Sequence, residues 1–262
     1  MDANGFGLLS SISEILNSRK RDSDYAIARY LVPRLDNLRS LMITDITENA
    51  FVTRSAVRRF CNKLGFSSFS ELKSQVTTAA YPSDLNHRDL QENVVEYRAS
   101  LDGGIEDMLS EMGRTVNNDQ VVALSRSLHD HAGVVLVCAN NTSGTLVRFQ
   151  QELFYAQKFI QLATDSYRTR LVESTDDEDR LVVVVSASGV FARNIESWIS
   201  EIESEKYLIT ANPAAVRIDD YDRTYCLNCS PIDHDSWGLF GKYGMTYFFD
   251  LLSACYLHLY GA

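Results

Sequence analysis

Long apolar runs are missing from this chain. No stretch approaches the roughly 20 consecutive apolar residues that a membrane-spanning helix needs, so no membrane association is expected. The opening MDANGFGLLSSISEIL lacks the basic start and small-residue cleavage site of a secretory signal. Cysteine is scarce and odd in number, five residues in no regular framework, which argues against a disulfide scaffold and suits a reducing cytoplasm. Internal repeats and low-complexity tracts are absent. What remains, 45% hydrophobic and 23% charged residues over 262 positions, is ordinary globular composition and enough chain for two modest domains.

Metal and cofactor signals are equally thin, and none is expected. Cys226-x-x-Cys229 has a metal-like spacing, but no second Cys or His pair follows at a suitable distance. Asp176–Asp179 is an acidic run without the spaced oxygens and glycine of a calcium loop. His129-x-His131 fits a surface turn, and the aromatics of Tyr243–Tyr260 fall at helical spacing, which suits core or dimer packing.

Positive charge is scarce overall, with a net charge of −10, but it is unevenly placed. Residues 1–80 hold 11 basic and 8 acidic residues, a net of +3, against 14 and 27 in the remainder, a net of −13. Binding follows the local field rather than the total, so an acidic average does not exclude a nucleic-acid partner for the first 80 residues.

The stretch Thr44–Lys73, TDITENAFVTRSAVRRFCNKLGFSSFSELK, shows what that local charge does. It reads as a helix beginning near Thr44, a turn, and a second helix capped by Thr53 and ended by Gly65. At about 100° per residue, Val57, Phe60, Cys61 and Leu64 share one face of the second helix. Ser55, Arg59, Asn62 and Lys63 lie opposite, with Arg54 and Arg58 on the flanks. Arginine offers a planar fork that bonds guanine O6 and N7 together or clamps a phosphate. Thr53, Arg54, Ser55, Arg58, Arg59, Asn62 and Lys63 are therefore the candidate DNA-contacting set.

The run V-T-x-x-x-V-R-R-F-C-x-K-L-G-F-x-x-F-x-E-L-K resembles the N-terminal domain of RpiR-type transcriptional regulators. Arg59, Phe60, Lys63, Leu64, Gly65, Phe66, Phe69, Glu71, Leu72 and Lys73 match in register, and the family's motif arginine falls on Arg59. The resemblance implies an all-α helix-turn-helix domain that binds a double-stranded operator as a homodimer, with tetramers open.

Around this stretch, helices are expected over 6–17, over 23–32 with Ser23 as cap and Pro33 as stop, and from Ser68 to about Thr77. A linker is expected over 81–103, punctuated by Gly103-Gly104, then helices over 104–116 and 119–130. From Gly133 the pattern changes to short apolar runs, 133–138, 159–163, 181–185, 206–210 and 223–228, separated by helical pattern over 145–157 and 190–204 and closed by a helix near 241–260. Alternating strand and helix implies βαβ crossovers and a doubly wound parallel α/β sheet over 104–262.

In such sheets ligands bind beyond the carboxyl ends of strands. Two strand ends are rich in hydroxyls: Ala139–Gly144 after the first strand and Ser186-Ala187-Ser188-Gly189 after the third. A following helix N-terminus suits an anion, although a serine there is also an ordinary helix cap. The paired loops behind a helical DNA-binding domain resemble a sugar isomerase (SIS) domain, the sensor partner of RpiR-type regulators. That resemblance implies a phosphorylated-sugar effector held by Asn141, Ser143, Ser186, Ser188 and Gly189. Two departures stand out. Ala139 and Asn141 replace glycines of the first loop, and Phe191 replaces a phosphate-binding hydroxyl after the second. Two alternatives stay open: a regulator with a degenerate pocket that only dimerises, and a phosphosugar isomerase with Glu152 as base and His234 as acid.

Overall fold

The computed structural model describes residues 5–18, 20–64, 66–75, 94–139, 142–163, 180–217, 220–230 and 236–261. Gly65, Asn141, Asp176–Asp179 and His234, all weighed above, lie outside them. The chain divides into two compact units, Met1–Pro82 and Ser83–Ala262.

The first unit is all helical: α1 (Gly5–Asn17), α2 (Ser23–Leu31), a 3-10 segment (Val32–Ser40), α3 (Ile43–Asn49), α4 (Arg54–Lys63) and α5 (Phe69–Gln75). Helix starts differ from expectation by a residue or two. Asp22 rather than Ser23 caps α2, its carboxylate accepting from the Asp24 and Tyr25 amides, because an ionised oxygen also suits the positive helix end. Likewise α3 begins after Met42, whose N–H donates to the Asp45 carboxylate at 2.7 Å, so Thr44 lies inside the helix. Pro33 does not stop the chain's winding. It sits in the first turn of the 3-10 segment, where its missing N–H costs nothing. One core gathers Ile12, Ile27, Leu31, Leu38, Ile46, Val57, Phe60, Phe66 and Leu72. Burying each such side chain is worth about 1.5–3 kcal/mol, which holds five short helices that are individually marginal.

The second unit runs α6 (Val94–Thr115), α7 (Asn118–Asp130), β1 (Gly133–Cys138), α8 (Ser143–Phe154), β2 (Gln161–Ala163), β3 (Arg180–Val185), α9 (Val190–Ile199), β4 (Glu205–Thr210), β5 (Arg223–Cys226), α10 (Ser236–Leu239), a π-helical turn (Phe240–Gly244) and α11 (Met245–Tyr260). The break expected at Gly103-Gly104 is absent, and α6 runs through both. Two glycines cost a helix about 1 kcal/mol each. At Gly104 the bare backbone is used, because a β carbon there would lie 2.6 Å from the Leu239 side chain.

All five strands are parallel, in the order β2-β1-β3-β4-β5. The doubly wound sheet expected from alternating strand and helix is the observed architecture. Alternate strand residues separate its faces. Val134, Leu136, Leu181, Val183 and Val185 join the core shared with α6, α7, α8 and α11. Val135, Val137, Val182 and Val184 are buried outside that cluster. Every residue of β3 is buried, which is why its sequence is an unbroken β-branched run rather than an alternation. Because β1 has β2 on one side and β3 on the other, the crevice between the carboxyl ends of β1 and β3 is the topological switch point.

Candidate nucleic-acid interface and ligand crevice

The Thr53 hydroxyl accepts from the Ala56 N–H at 3.1 Å, the expected cap of α4. Ala56, Val57, Phe60 and Cys61 are buried beneath the helix. Burial pushes the Cys61 thiol up to about 11, so it is an inert core group. Beyond the helix, the Phe66 N–H closes back on the Cys61 carbonyl at 2.9 Å. Thr53, Arg54, Ser55, Arg58, Arg59, Asn62 and Lys63 are all exposed. Lys63 reaches the Asp24 carboxylate at 3.0 Å, a surface pair worth a fraction of a kcal/mol (~0.2–1) and readily exchanged for a phosphate. Among the described residues, Arg54, Arg58 and Arg59 have no acidic partner, which leaves three guanidinium charges on one face of a helix about 15 Å long.

The rest of the motif is scaffolding. Phe60, Phe66, Phe69 and Leu72 are core residues. Glu71 accepts from the Ser67 N–H at 2.6 Å and from the Ser67 hydroxyl, while its own N–H donates to Ser68. Lys73 donates to the Leu41 carbonyl at 2.8 Å, tying α5 to the segment ahead of α3. Of the ten matching residues, only Arg59 and Lys63 are exposed members of the candidate DNA-contacting set.

At the switch point the second loop is braced from the end of β4, which is itself tied to the end of β5. Ala187 accepts from the Ala211 N–H at 2.9 Å, and Asn212 donates its side-chain amide to the Ser188 carbonyl at 2.8 Å. Asn228 in turn donates to the Ala211 carbonyl at 3.2 Å. Gly189 adopts φ +74°, and a β carbon there would lie 2.7 Å from the Ala215 β carbon, so both backbone and space demand glycine.

The two serines of this loop have different surroundings. Ser186 is buried, and its hydroxyl accepts from the Ala192 N–H at 3.3 Å, a structural cap of α9. Ser188 is half-buried and makes a long contact from the Val190 N–H at 3.4 Å. Phe191 is only 4% exposed, so its ring belongs to the core and occupies no donor position at the loop mouth. Ser143 opens α8 at the other side of the crevice. Asn212 and Asn228 are not singled out by the sequence motifs. An Asn two residues past each strand end was the available clue.

Other candidate chemistry resolves into structure. The Cys229 thiol donates to Glu111 Oε1 at 2.8 Å, as does the Cys229 N–H at 3.1 Å. The Cys226 thiol donates to the Asn228 carbonyl at 2.9 Å. Hydrogen bonds from Cys229 first, and from Arg114 next, hold the Glu111 carboxyl down at about 2. The Cys229 thiol pins the segment after β5 to α6, the Cys226 thiol closes a local turn, and no metal-binding cluster occurs among the described residues. Glu152 lines a cleft of about 210 Å³ with Thr145, Arg148 and Asp250. Burial works to raise its carboxyl, but hydrogen bonds from Arg148, at 2.8 Å, and from Ser253 outweigh it and leave it below the ordinary value. An ion-paired carboxylate of lowered basicity makes a poor general base.

Residues 7–82 match the model of the helix-turn-helix domain of the rpiR family. The match covers nearly the whole of the first unit. Among curated relatives of the chain is an uncharacterised HTH-type transcriptional regulator of Clostridium perfringens, 24% identical over 78% of this chain and 76% of its own length. Another, from Providencia stuartii, is 20% identical over 71% of this chain and 67% of its own. The Vibrio vulnificus NanR protein, solved in complex with ManNAc-6P, shares the fold over 97% of this chain and 92% of its own, with a TM-score of 0.53 at 15% identity. No helix among the described residues is long and apolar enough to cross a membrane.

Proposed function

We propose that this chain is a transcriptional regulator of carbohydrate metabolism whose DNA affinity is set by a phosphorylated sugar. Residues 1–80 read DNA and residues 104–262 sense the effector. The observation that carries the reading is the exposed face of α4, where Arg54, Arg58 and Arg59 stand beside the capping Thr53 with no acidic partner among the described residues. One short helix contacts too few base pairs for genomic specificity, so the chain acts as a homodimer on a palindromic site, its two α4 helices about 34 Å apart. The phosphosugar assignment is supported by the braced Ser188-Gly189 loop at the switch point, and by the ManNAc-6P bound to the structurally similar NanR. An effector then acts through different affinity for DNA-competent and incompetent arrangements.

Two measurements test this. Arg59→Ala lowers affinity for a wild-type-selected duplex at least tenfold, as read by fluorescence anisotropy, while sedimentation still finds the dimer; unchanged affinity removes α4 as the reading helix. A thermal-shift panel of sugar phosphates, beginning with ManNAc-6P, and of the parent neutral sugars tests the crevice. A ligand at 100 times its Kd stabilises the fold by about 2.7 kcal/mol, and a panel without a phosphorylated hit removes the phosphosugar assignment.

A further inference from the structure

The turn between α3 and α4 places a phenylalanine just past the C-cap of α3, a left-handed position that usually takes glycine or asparagine. Phe51 adopts φ +54°, and its side chain is 92% exposed. In the left-handed region a β carbon crowds the following carbonyl oxygen. Glycine escapes this, and asparagine or aspartate is partly compensated by local hydrogen bonding, but phenylalanine has neither relief. An aromatic ring normally repays such a position by burial, and this one gains almost none. The other non-glycine residue at positive φ, Gln157, likewise lies just beyond a helix end, that of α8, but its side chain is polar.

The neighbours of Phe51 are not loose. The Ala50 N–H bonds the Ile46 carbonyl at 2.9 Å, and the Val52 N–H bonds the Thr47 carbonyl at 3.2 Å. Val52 packs against the core of the unit, and Thr53 caps α4. The ring is therefore held out on a defined turn, two residues ahead of Thr53 and three ahead of Arg54, beside the N-terminal members of the exposed set that runs the length of α4. Strain retained at an exposed position points to function. Base edges in the major groove present one apolar group, the C5 methyl of thymine, and an aromatic side chain is a suitable partner for it.

We infer that Phe51 is a DNA contact that reads a thymine methyl beside the bases covered by α4. This rests on the DNA-binding reading above. A protein partner for the ring is the competing class, and the test separates the two.

The experiment uses the full chain and a 30-base-pair duplex, a length of roughly three helical turns, enriched from a random library by the wild-type protein. Phe51→Gly removes both the ring and the strain, and Phe51→Asn removes the ring while keeping a β carbon that tolerates positive φ. Both variants should melt no lower than wild type and bind the duplex about tenfold more weakly. Replacing thymines one at a time by deoxyuridine, which deletes only the methyl, should identify a position that weakens wild type and leaves both variants unaffected. Variants that bind as wild type does, while Arg59→Ala fails to bind, overturn this inference alone and direct the ring to a protein partner. Weakened variants with no methyl-dependent position overturn the base-reading assignment. If the wild type enriches no duplex, the DNA-binding reading falls and this one with it.

Discussion

Replacing Gly189 by alanine tests the braced loop most directly. Two costs add. An L-residue at φ +74° costs about 1–2 kcal/mol relative to glycine, and the new methyl would lie 2.7 Å from the Ala215 β carbon. That neighbour is fixed to backbone and cannot swing aside, so overpacking adds about 1–3 kcal/mol. A total near 3 kcal/mol is expected. The protein supplies its own probe: both tryptophans, Trp198 and Trp237, belong to the second unit, so urea unfolding followed by tryptophan emission reads that unit selectively. Ala215→Gly removes the clashing atom without touching the dihedral angle. The double variant should therefore recover the steric part and leave the backbone part, giving a coupling of at least about 1 kcal/mol in the mutant cycle. A coupling below about 0.5 kcal/mol would refute the close approach, and a Gly189→Ala cost below that value would refute the loop geometry itself.

The two loop serines should separate. Ser186→Ala leaves the buried Ala192 N–H unpaired and costs about 1–2 kcal/mol in the same urea assay, whereas Ser188→Ala spares stability and blunts the shift produced by whichever sugar phosphate binds wild type. Glu111 predicts an acid dependence. Its folded carboxyl titrates at about 2 and its unfolded one at 4.5, so the folded state binds fewer protons and the stabilisation is complete above pH 4.5 and lost as pH falls toward 2. Glu111→Gln should be less stable than wild type by on the order of 2 kcal/mol at pH 7, with the gap closing across that window; a gap independent of pH would exclude the carboxylate as its source. Thr53→Ala removes the α4 cap and should lower the stability of the first unit by about 1 kcal/mol, measured by hydrogen exchange at the α4 amides.

Much of the first unit was legible because its information is local. The inward period of Val57, Phe60 and Cys61, the outward period of the arginines and the Thr53 cap are set by helical geometry within a dozen residues, and they lie where the spacing placed them. The sheet was legible for a related reason. A strand buried on both faces has no polar side, so RLVVVV announces both its strand and its depth. Exact helix starts were less legible, because Asp22 and Ser23, or Met42 and Thr44, compete at one end and the outcome turns on a single hydrogen bond.

Only the tertiary structure decided which groups remain available at the crevice. Ser186 and Ser188 are equivalent in the motif, but one hydroxyl is committed to the Ala192 amide and the other is half-open. Phe191 looked like a lost phosphate donor until the packing of α9 took its ring into the core. Asn212 braces the loop from the end of β4, Asn228 beyond β5 holds that segment in turn, and the Cys226 and Cys229 thiols are spent on Asn228 and Glu111. These partners lie up to 118 residues apart, and no periodicity connects them. Sequence by itself determined most of the helices and strands and the charged face, since each follows from residues a few positions apart; the continuity of α6 through Gly103-Gly104 does not. Which hydroxyl, thiol or ring is left free depends on the sheet order that brings distant residues together, and that order belongs to the folded chain.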